Sequence, residues 1–159
     1  MIPLFLGITA VNLLSLIAAI TIGYLTRSHP SLKSVHLLTG VLATFVCVAM
    51  HCVVFTYFIA TAKWVQHAVS VKKLDESLAS PTRSFRAQAF PAALIAMFIV
   101  FVTAILGAAH DNYGTPRDWH LWLALSTLLI NALVACVEFR AITRNGQLID
   151  TILTRINTV

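Results

Sequence analysis

The sequence predicts an all-α integral membrane protein, a four-helix up-down bundle, and three observations lead to this fold. The chain of 159 residues is 58% hydrophobic and only 11% charged, whereas a soluble domain carries about 25% charged residues. The charged residues are also clustered, which leaves four long apolar stretches without Asp, Glu, Lys or Arg. The segments between those stretches are too short for a second domain, so we expect a single membrane domain over residues 1–159.

The four uncharged stretches match the length that a bilayer requires. They cover residues 1–26, 34–62, 87–109 and 119–137, with lengths of 26, 29, 23 and 19 residues. A helix needs about 20 predominantly apolar residues to cross the hydrocarbon region. We therefore predict membrane spans at residues 2–26, 34–62, 87–109 and 118–140.

The first two spans follow from local signals. No Lys or Arg precedes Arg27, so the first stretch is expected to be a retained span rather than a secretory signal. Pro30 lies in a short turn at residues 28–31, because it disfavours helical geometry at the residue before it. The second span opens near Lys33, and spaced apolar residues continue its helical pattern through residues 63–79. The second helix is therefore predicted to extend into the cytoplasm.

The third span is predicted to start between Phe85 and Pro91 and to end at Ala109, since proline fits a first turn or a kink. The fourth helix is predicted to extend into the cytoplasm over residues 141–157, although Gly146 weakens a helix interior. That extension carries an apolar stripe of Ile142, Ile149, Ile152, Leu153 and Ile156. The stripe would pack on the extension of the second helix, lie on the membrane surface or meet a partner subunit.

Lys and Arg are distributed unequally between the two sides of the predicted spans. Eight lie on one side, at positions 63, 72, 73, 83, 86, 140, 144 and 155, and three lie on the other, Arg27, Lys33 and Arg117. Positive residues favour the cytoplasmic side, which predicts a bacterial-type inner (plasma) membrane protein with both termini in the cytoplasm. The net charge of +5 then reflects topology and contact with anionic lipid. No basic stripe interleaved with aromatics predicts nucleic-acid binding.

Several activities lack their motif. The sequence has no phosphate loop, no nucleophile elbow and no zinc-protease motif. The cysteines, Cys47, Cys52 and Cys136, lie inside predicted spans without a C-x-x-C pair, which favours apolar packing over a disulfide or a zinc site. No internal repeat is evident in the sequence.

Polar residues follow one face of each of two predicted spans. On the fourth span they are His120, Thr127, Asn131 and Glu138, within roughly 20° of one line. On the second span they are His36, Gly40, Cys47 and His51, within roughly 60° of His36. Because polar groups inside a membrane are costly, they normally face the bundle interior. We therefore expect the two faces to converge on the bundle axis.

Haem b is the cofactor that this arrangement predicts. His36 and His120 each lie about one turn inside their span, on helices that run in the same direction, so their imidazoles should lie at equal depth. Two opposed imidazoles can hold a haem iron from both sides. Gly40, one turn from His36, would let a flat ring approach the backbone. The cations of the outer side, Arg27, Lys33 and Arg117, would lie near the haem propionates.

The same histidines allow other interpretations. His36 and His120 would alternatively anchor the helix ends at the lipid headgroups, as interfacial aromatics do. Together with His110 they would form a site for copper, zinc or iron. His29 and His67 are interpreted as ordinary loop residues.

His51 lies about 22 Å further along the helix than His36. It would be a buried histidine bonded to Asn12 or Glu138, or a ligand of a second haem with Met97 as the nearest soft partner. Near the inner end of this span, a belt of Tyr57, Lys63 and Trp64 would lie at the membrane surface. A quinone headgroup could bind there by hydrogen bonds.

Three functions are consistent with these residues. The first is a membrane subunit for electron transfer, since the four spans with histidines resemble small membrane cytochromes b in general architecture. The second is a structural or assembly subunit of a larger membrane complex, or a homo-oligomer, that docks through the helix extensions. The third is a metal-dependent membrane enzyme that uses His36, His110 and His120.

Overall fold

Four long α-helices make up most of the described chain. The computed structural model describes residues 1–114 and 116–157, and the side chains of Asp111, Asn112 and Arg117 lie outside that description. Within these residues the helices are α1 (Ile2–Leu25), α2 (Lys33–Val71), α3 (Pro81–Tyr113) and α4 (Arg117–Asn157), and no strand is present. An all-helical chain with four helices long and apolar enough to cross a membrane is therefore confirmed.

α2 and α4 are much longer than a bilayer requires. They contain 39 and 41 residues, which corresponds to roughly 60 Å, about twice the hydrocarbon thickness of a typical bilayer. α4 continues through Gly146 without interruption, as predicted. Each helix therefore has an apolar part and an extension beyond it.

α2 ends earlier than predicted. Lys73 adopts a left-handed φ of 50°, and the N–H groups of Leu74 and Lys73 donate to the carbonyls of Val69 and Ser70. This is the Schellman helix end, in which a left-handed residue satisfies the last free carbonyls. The predicted helix through residue 79 is thus wrong, because the chain turns at Lys73 into a short 3₁₀-helix over Glu76–Ala79.

That 3₁₀-helix begins at a side-chain cap. The Asp75 carboxylate accepts the backbone N–H of Ser77 at 2.9 Å. This hydrogen bond lowers the pKa of the Asp75 carboxyl.

α3 begins earlier and ends later than predicted. Pro81 occupies its first turn, where the missing N–H of proline breaks no helical hydrogen bond. Pro91 lies inside the helix rather than at its start. The helix thus extends beyond the span that the uncharged stretch predicts, since its first turns include Arg83 and Arg86, and the limits of the span itself stay a prediction. At the other end, Gly114 has a φ of 68° and donates its N–H to the carbonyl of His110.

The hairpins α1–α2 and α3–α4 repeat one packing pattern, although no repeat is evident in the sequence. Three of the contacts between α2 and α4 are His36 with His120, Cys47 with Asn131, and Thr61 with Asn145. The partners are 84 residues apart in these three contacts, 87 apart in His51 with Glu138 and 88 apart in Tyr57 with Asn145. Since the separation is nearly constant along both helices, α2 and α4 run in the same direction and in register across the centre of the molecule.

The interior is partly polar and the exterior is apolar. Asn12, Thr127 and Asn131 are each 1% exposed, whereas Phe45 and Phe98 are about 70% exposed. The exterior differs from that of a soluble protein, in which large exposed apolar patches are rare. Such a surface is suited to a lipid environment.

The extensions of α2 and α4 pack on each other. Val65, Ala68 and Val69 of α2 form a cluster with Ile152 of α4, and Ile149 and Ile156 pack against it. Leu153, one residue along, is 42% exposed. Of the three predicted roles for the apolar stripe of α4, the structure therefore shows packing on the second helix.

Candidate cofactor site

The side chains of His36 and His120 contact each other between α2 and α4, close to the start of both helices. Their ring centroids are 6.0 Å apart and the ring planes lie at 68°, so the edge of one imidazole faces the other. Each histidine lies three residues after the start of its helix. The predicted equal depth of the two imidazoles follows from the shared register of α2 and α4.

Each imidazole rests on a glycine of the preceding helix. A Cβ at Gly23 of α1 would lie 2.6 Å from Cε1 of His36, and a Cβ at Gly107 of α3 would lie 2.9 Å from Cε1 of His120. Real Cβ atoms do not approach other atoms this closely, so any larger residue at either position would displace the ring. In both hairpins the glycine precedes its histidine by 13 residues. The two glycines therefore define matching seats for the two imidazoles.

The orientation of the His36 ring is fixed by a backbone hydrogen bond. Nδ1 of His36 lies 3.1 Å from the carbonyl oxygen of Ala19. A carbonyl only accepts, so Nδ1 carries the proton and Nε2 keeps its lone pair. Histidines that bind metal ions commonly donate their other ring N–H to a carbonyl or carboxylate in this way. His36 is thus held in the tautomer that a metal ligand needs.

A cavity of about 520 Å³ surrounds the two histidines and is lined by all four helices. This volume lies within the range of small-molecule and cofactor sites. Its deeper walls are apolar, with Leu16, Val41 and Val100 among the lining residues. Gly40 also lines the cavity, and a Cβ there would meet no atom within 4 Å. A flat ring could therefore approach the α2 backbone at Gly40.

The mouth of the cavity carries positive charge. Arg27 and Lys33 both line it. The Arg27 guanidinium lies 3.2 Å from Asp118 and 5.0 Å from the centre of the Tyr24 ring. Arg117 was also predicted here, but its side chain lies outside the described residues. Arg27 and Lys33 are placed to meet an anionic group at the cavity opening.

A hydrogen-bonded polar layer lies beneath the cavity. The Asn131 amide oxygen accepts from Asn12 and from the Cys47 thiol, each at 3.2 Å. Closer to the cavity, the hydroxyls of Thr103 and Thr127 are 2.6 Å apart. The polar faces of α2 and α4 are thus directed into the interior, where they bond to each other and to α1 and α3.

His51 lies below this layer and pairs with Glu138. Nδ1 of His51 is 2.8 Å from Oε1 of Glu138, and both side chains are fully buried. Of the two partners expected for His51, the structure selects Glu138, since Asn12 bonds Asn131 and the Met50 sulfur instead. A second haem at His51 was an alternative expectation, and the structure directs the His51 ring to a carboxylate rather than to Met97.

His110 was the third histidine expected at a site for a bare metal ion. His110 lines the same cavity as His36 and His120. Among the described residues, however, no group of three or more His, Cys, Asp or Glu side chains is arranged to hold a metal ion. His29 and His67 are exposed, and His67 lies within α2 rather than in the loop where it was expected.

At the far end of the apolar region, Asn145 links two side chains of α2. Its amide nitrogen donates to the hydroxyls of Tyr57 and Thr61, each at 3.0 Å. Tyr57 belongs to the belt where a quinone was expected, and here its hydroxyl is engaged within the protein. Quinone binding at this belt stays a prediction.

The two glycine seats were not predicted from the sequence. Neither Gly23 nor Gly107 was expected to contact a histidine. The detectable signal is a glycine followed after 13 residues by a histidine, with a cation three residues before that histidine, in both hairpins. That pattern covers Gly23, Lys33 and His36, and again Gly107, Arg117 and His120.

No family model matches this chain, and no curated protein or solved structure is significantly similar to it. The functional inference therefore depends on the residues and their geometry.

Proposed function

We propose that this protein is a small membrane b-type cytochrome-like subunit that binds one haem b through His36 and His120 and transfers electrons. The observation that carries this proposal is the approach of the two imidazoles across the cavity, with centroids 6.0 Å apart. Two imidazoles that each bind one iron through a ring nitrogen, with metal–nitrogen bonds of about 2.0–2.1 Å, have ring centres roughly 6.3 Å apart. The ring separation therefore matches bis-histidine ligation, which would turn a nitrogen of each ring toward the iron.

The surroundings of the pair support a haem rather than a bare metal ion. The cavity extends well beyond the two rings and has apolar walls, which suits a macrocycle. Arg27 and Lys33 at the mouth would hold the propionates by charge-assisted hydrogen bonds. His36 donates Nδ1–H to Ala19, which presents Nε2 as the ligand. Haem iron with two nitrogen ligands supplies reversible one-electron chemistry.

The proposed haem site would lie near one surface of a membrane. We propose that the helices form an up-down bundle in a bacterial-type plasma membrane, with the cavity mouth on the outer side. The support is the excess of Lys and Arg on the side of the termini and the apolar exterior of the helices. The extensions of α2 and α4 then lie in the cytoplasm, where they form a two-helix stub.

An assembly subunit without its own cofactor is the alternative from another class. The sequence feature that favours this alternative is the apolar stripe of α4. In the structure, residues of that stripe pack against α2. The exposed apolar surface could still bind a membrane partner or a second copy of this chain. An electron-transfer protein also needs an electron donor and an electron acceptor as partners. The haem proposal has the stronger support because it accounts for both histidines, both glycine seats and the cavity.

Absorption spectroscopy of the purified protein in detergent tests the proposal. Expression with adequate haem supply, followed by spectra before and after dithionite, should show a Soret band and a sharpened α band on reduction. His36→Ala and His120→Ala should each lose or strongly change these bands, whereas His67→Ala, an exposed histidine on the same helix as His36, should not. A folded, colourless protein with no iron would reject the proposal and favour the assembly subunit.

A further inference from the structure

A buried ionisable pair lies in the interior outside the proposed haem site. His51 of α2 and Glu138 of α4 are each 0% exposed and 2.8 Å apart. The adjacent turns of the two helices contribute Met50, Val54 and Ala135 to an apolar cluster. Ionisable residues within a membrane-spanning segment are expensive to bury and usually functional. Replacing such a pair with apolar residues is often neutral or stabilising, so packing alone does not require it.

One atom of each partner lacks a hydrogen bond. Among the described residues, neither Nε2 of His51 nor Oε2 of Glu138 has a partner. With an ionised Glu138, Nδ1 of His51 must carry the proton that lies between the two groups, because a carboxylate only accepts. Nε2 is then a base with a free lone pair, and the pair has a net charge of −1. One added proton at Nε2 makes the pair neutral, as imidazolium and carboxylate.

The surrounding helices offer few other charges to balance the pair. The titratable groups closest along each helix are Cys47, Cys52 and Tyr57 on α2, Arg86 on α3, and Cys136 and Arg140 on α4. α1 has none between the amino terminus and Tyr24. Cys52, Cys136 and Arg140 are exposed, Arg86 is half-buried, and Tyr57 is bonded to Asn145. Among the described residues Glu138 forms an ion pair with His51 and with no Lys or Arg, and a net negative charge in a low-dielectric interior is costly, which favours binding of the proton.

We propose that His51 and Glu138 form a proton-binding site in the protein interior, and that this site takes up one proton when a haem held by His36 and His120 is reduced by one electron. The second part depends on the proposed haem function. The electron comes from the one-electron donor of the proposed electron-transfer reaction, which is oxidised by one electron, and the proton comes from water and bonds to Nε2 of His51. Added negative charge in the cavity stabilises the protonated pair, because the layer of Asn12, Cys47 and Asn131 between the two sites contains no permanent charge to screen it.

The proton site can be tested without a haem. Solid-state NMR of the protein labelled with ¹⁵N-histidine, in lipid bilayers, reports the protonation of each ring nitrogen, and His51→Gln assigns the His51 signals. Nε2 of His51 should gain a proton as the pH falls. In Glu138→Gln, which keeps an oxygen to accept from Nδ1, this change should occur only at a lower pH, since the carboxylate charge is gone. An Nε2 that stays unprotonated in the wild-type protein at all pH values where it is folded would overturn the proton site.

The coupling is tested by the midpoint potential of the haem-loaded protein as a function of pH. The potential should fall as the pH rises, because reduction brings proton uptake, and Glu138→Gln should remove most of this dependence. His67→Gln is the matched control, since His67 is an exposed histidine of α2 that belongs neither to the cavity lining nor to the pair. An equal pH dependence in the wild-type protein and Glu138→Gln would overturn the coupling. If no haem is bound, the coupling fails together with the proposed function, whereas the NMR titration still decides the proton site.

Discussion

His36 and His120 are 84 residues apart in sequence, yet the edge of one imidazole faces the other at a centroid distance of 6.0 Å. The two rings meet because α2 and α4 share direction and register, and because each ring is held on a glycine of the preceding helix. The arrangement has approximate twofold symmetry, with one histidine and one glycine seat from each hairpin. The proposed haem would lie on the axis between the two histidines.

Alanine at either glycine seat should displace the histidine that rests there. A Cβ would lie 2.6 Å from Cε1 of His36 in Gly23→Ala and 2.9 Å from Cε1 of His120 in Gly107→Ala. Overpacking of this kind costs about 1–3 kcal/mol, so both variants should unfold at a lower temperature and retain less haem. Gly7→Ala is the control, since no atom lies within 4 Å of a Cβ there. Three variants of equal thermal stability and haem content would show that the seats are unimportant.

Loss of the Asn131 side chain should destabilise the polar layer beneath the cavity. Asn131→Leu leaves the Asn12 amide and the Cys47 thiol without their acceptor, and an unsatisfied buried polar group costs about 1–3 kcal/mol. Unfolding in mixed detergent micelles should reveal a loss of this size. Ser126→Ala on the exposed side of α4 should cost much less, because Ser126 bonds only to a carbonyl of its own helix. A similar loss in both variants would contradict a role for the layer.

Glycine at position 73 should stabilise the protein. Lys73 has a left-handed φ of 50°, which costs a residue with a Cβ roughly 1 kcal/mol relative to glycine. Lys73→Gly should therefore raise the unfolding temperature. Lys72→Gly should lower it, because Lys72 has a negative φ at the end of α2, where glycine adds only flexibility. If Lys73→Gly is the less stable of the two, the Schellman end is not present in solution.

The extension of α4 should depend on Ile152 and not on Leu153. Ile152 is fully buried against α2, whereas Leu153 is 42% exposed. Ile152→Ala should cost about 2–4 kcal/mol and expose the end of α4 to limited proteolysis, with little effect from Leu153→Ala. A larger effect of Leu153→Ala, or loss of a co-purifying protein in that variant, would indicate that the stripe docks on a partner.

The positions of His36 and His120 could be predicted because two simple periodicities determine them. Uncharged stretches set the depth of each span, and the helical period of 3.6 residues sets the face on which each polar side chain lies. Both constraints act within one helix and are visible in the sequence. They were sufficient to predict that the two imidazoles lie at equal depth.

Contacts between helices were harder to predict. Asn12 and Glu138 were both compatible partners of His51, and only the packing shows that Asn12 turns to Asn131. Gly23 and Gly107 matter through the ring that rests on each one, which depends on the distance between neighbouring helices. The helix boundaries near residues 71–81 were missed because a left-handed lysine and an early proline leave no mark on hydropathy.

Electron paramagnetic resonance of the oxidised protein tests the central claim most directly, because it reports the ligands of a ferric haem. The wild-type protein should contain one low-spin haem with two imidazole ligands. His36→Ala and His120→Ala should each convert this signal to high spin or lose the haem, while His67→Ala keeps it. A wild-type protein without a ferric haem signal, or a low-spin signal that survives in both His36→Ala and His120→Ala, would contradict ligation by this pair.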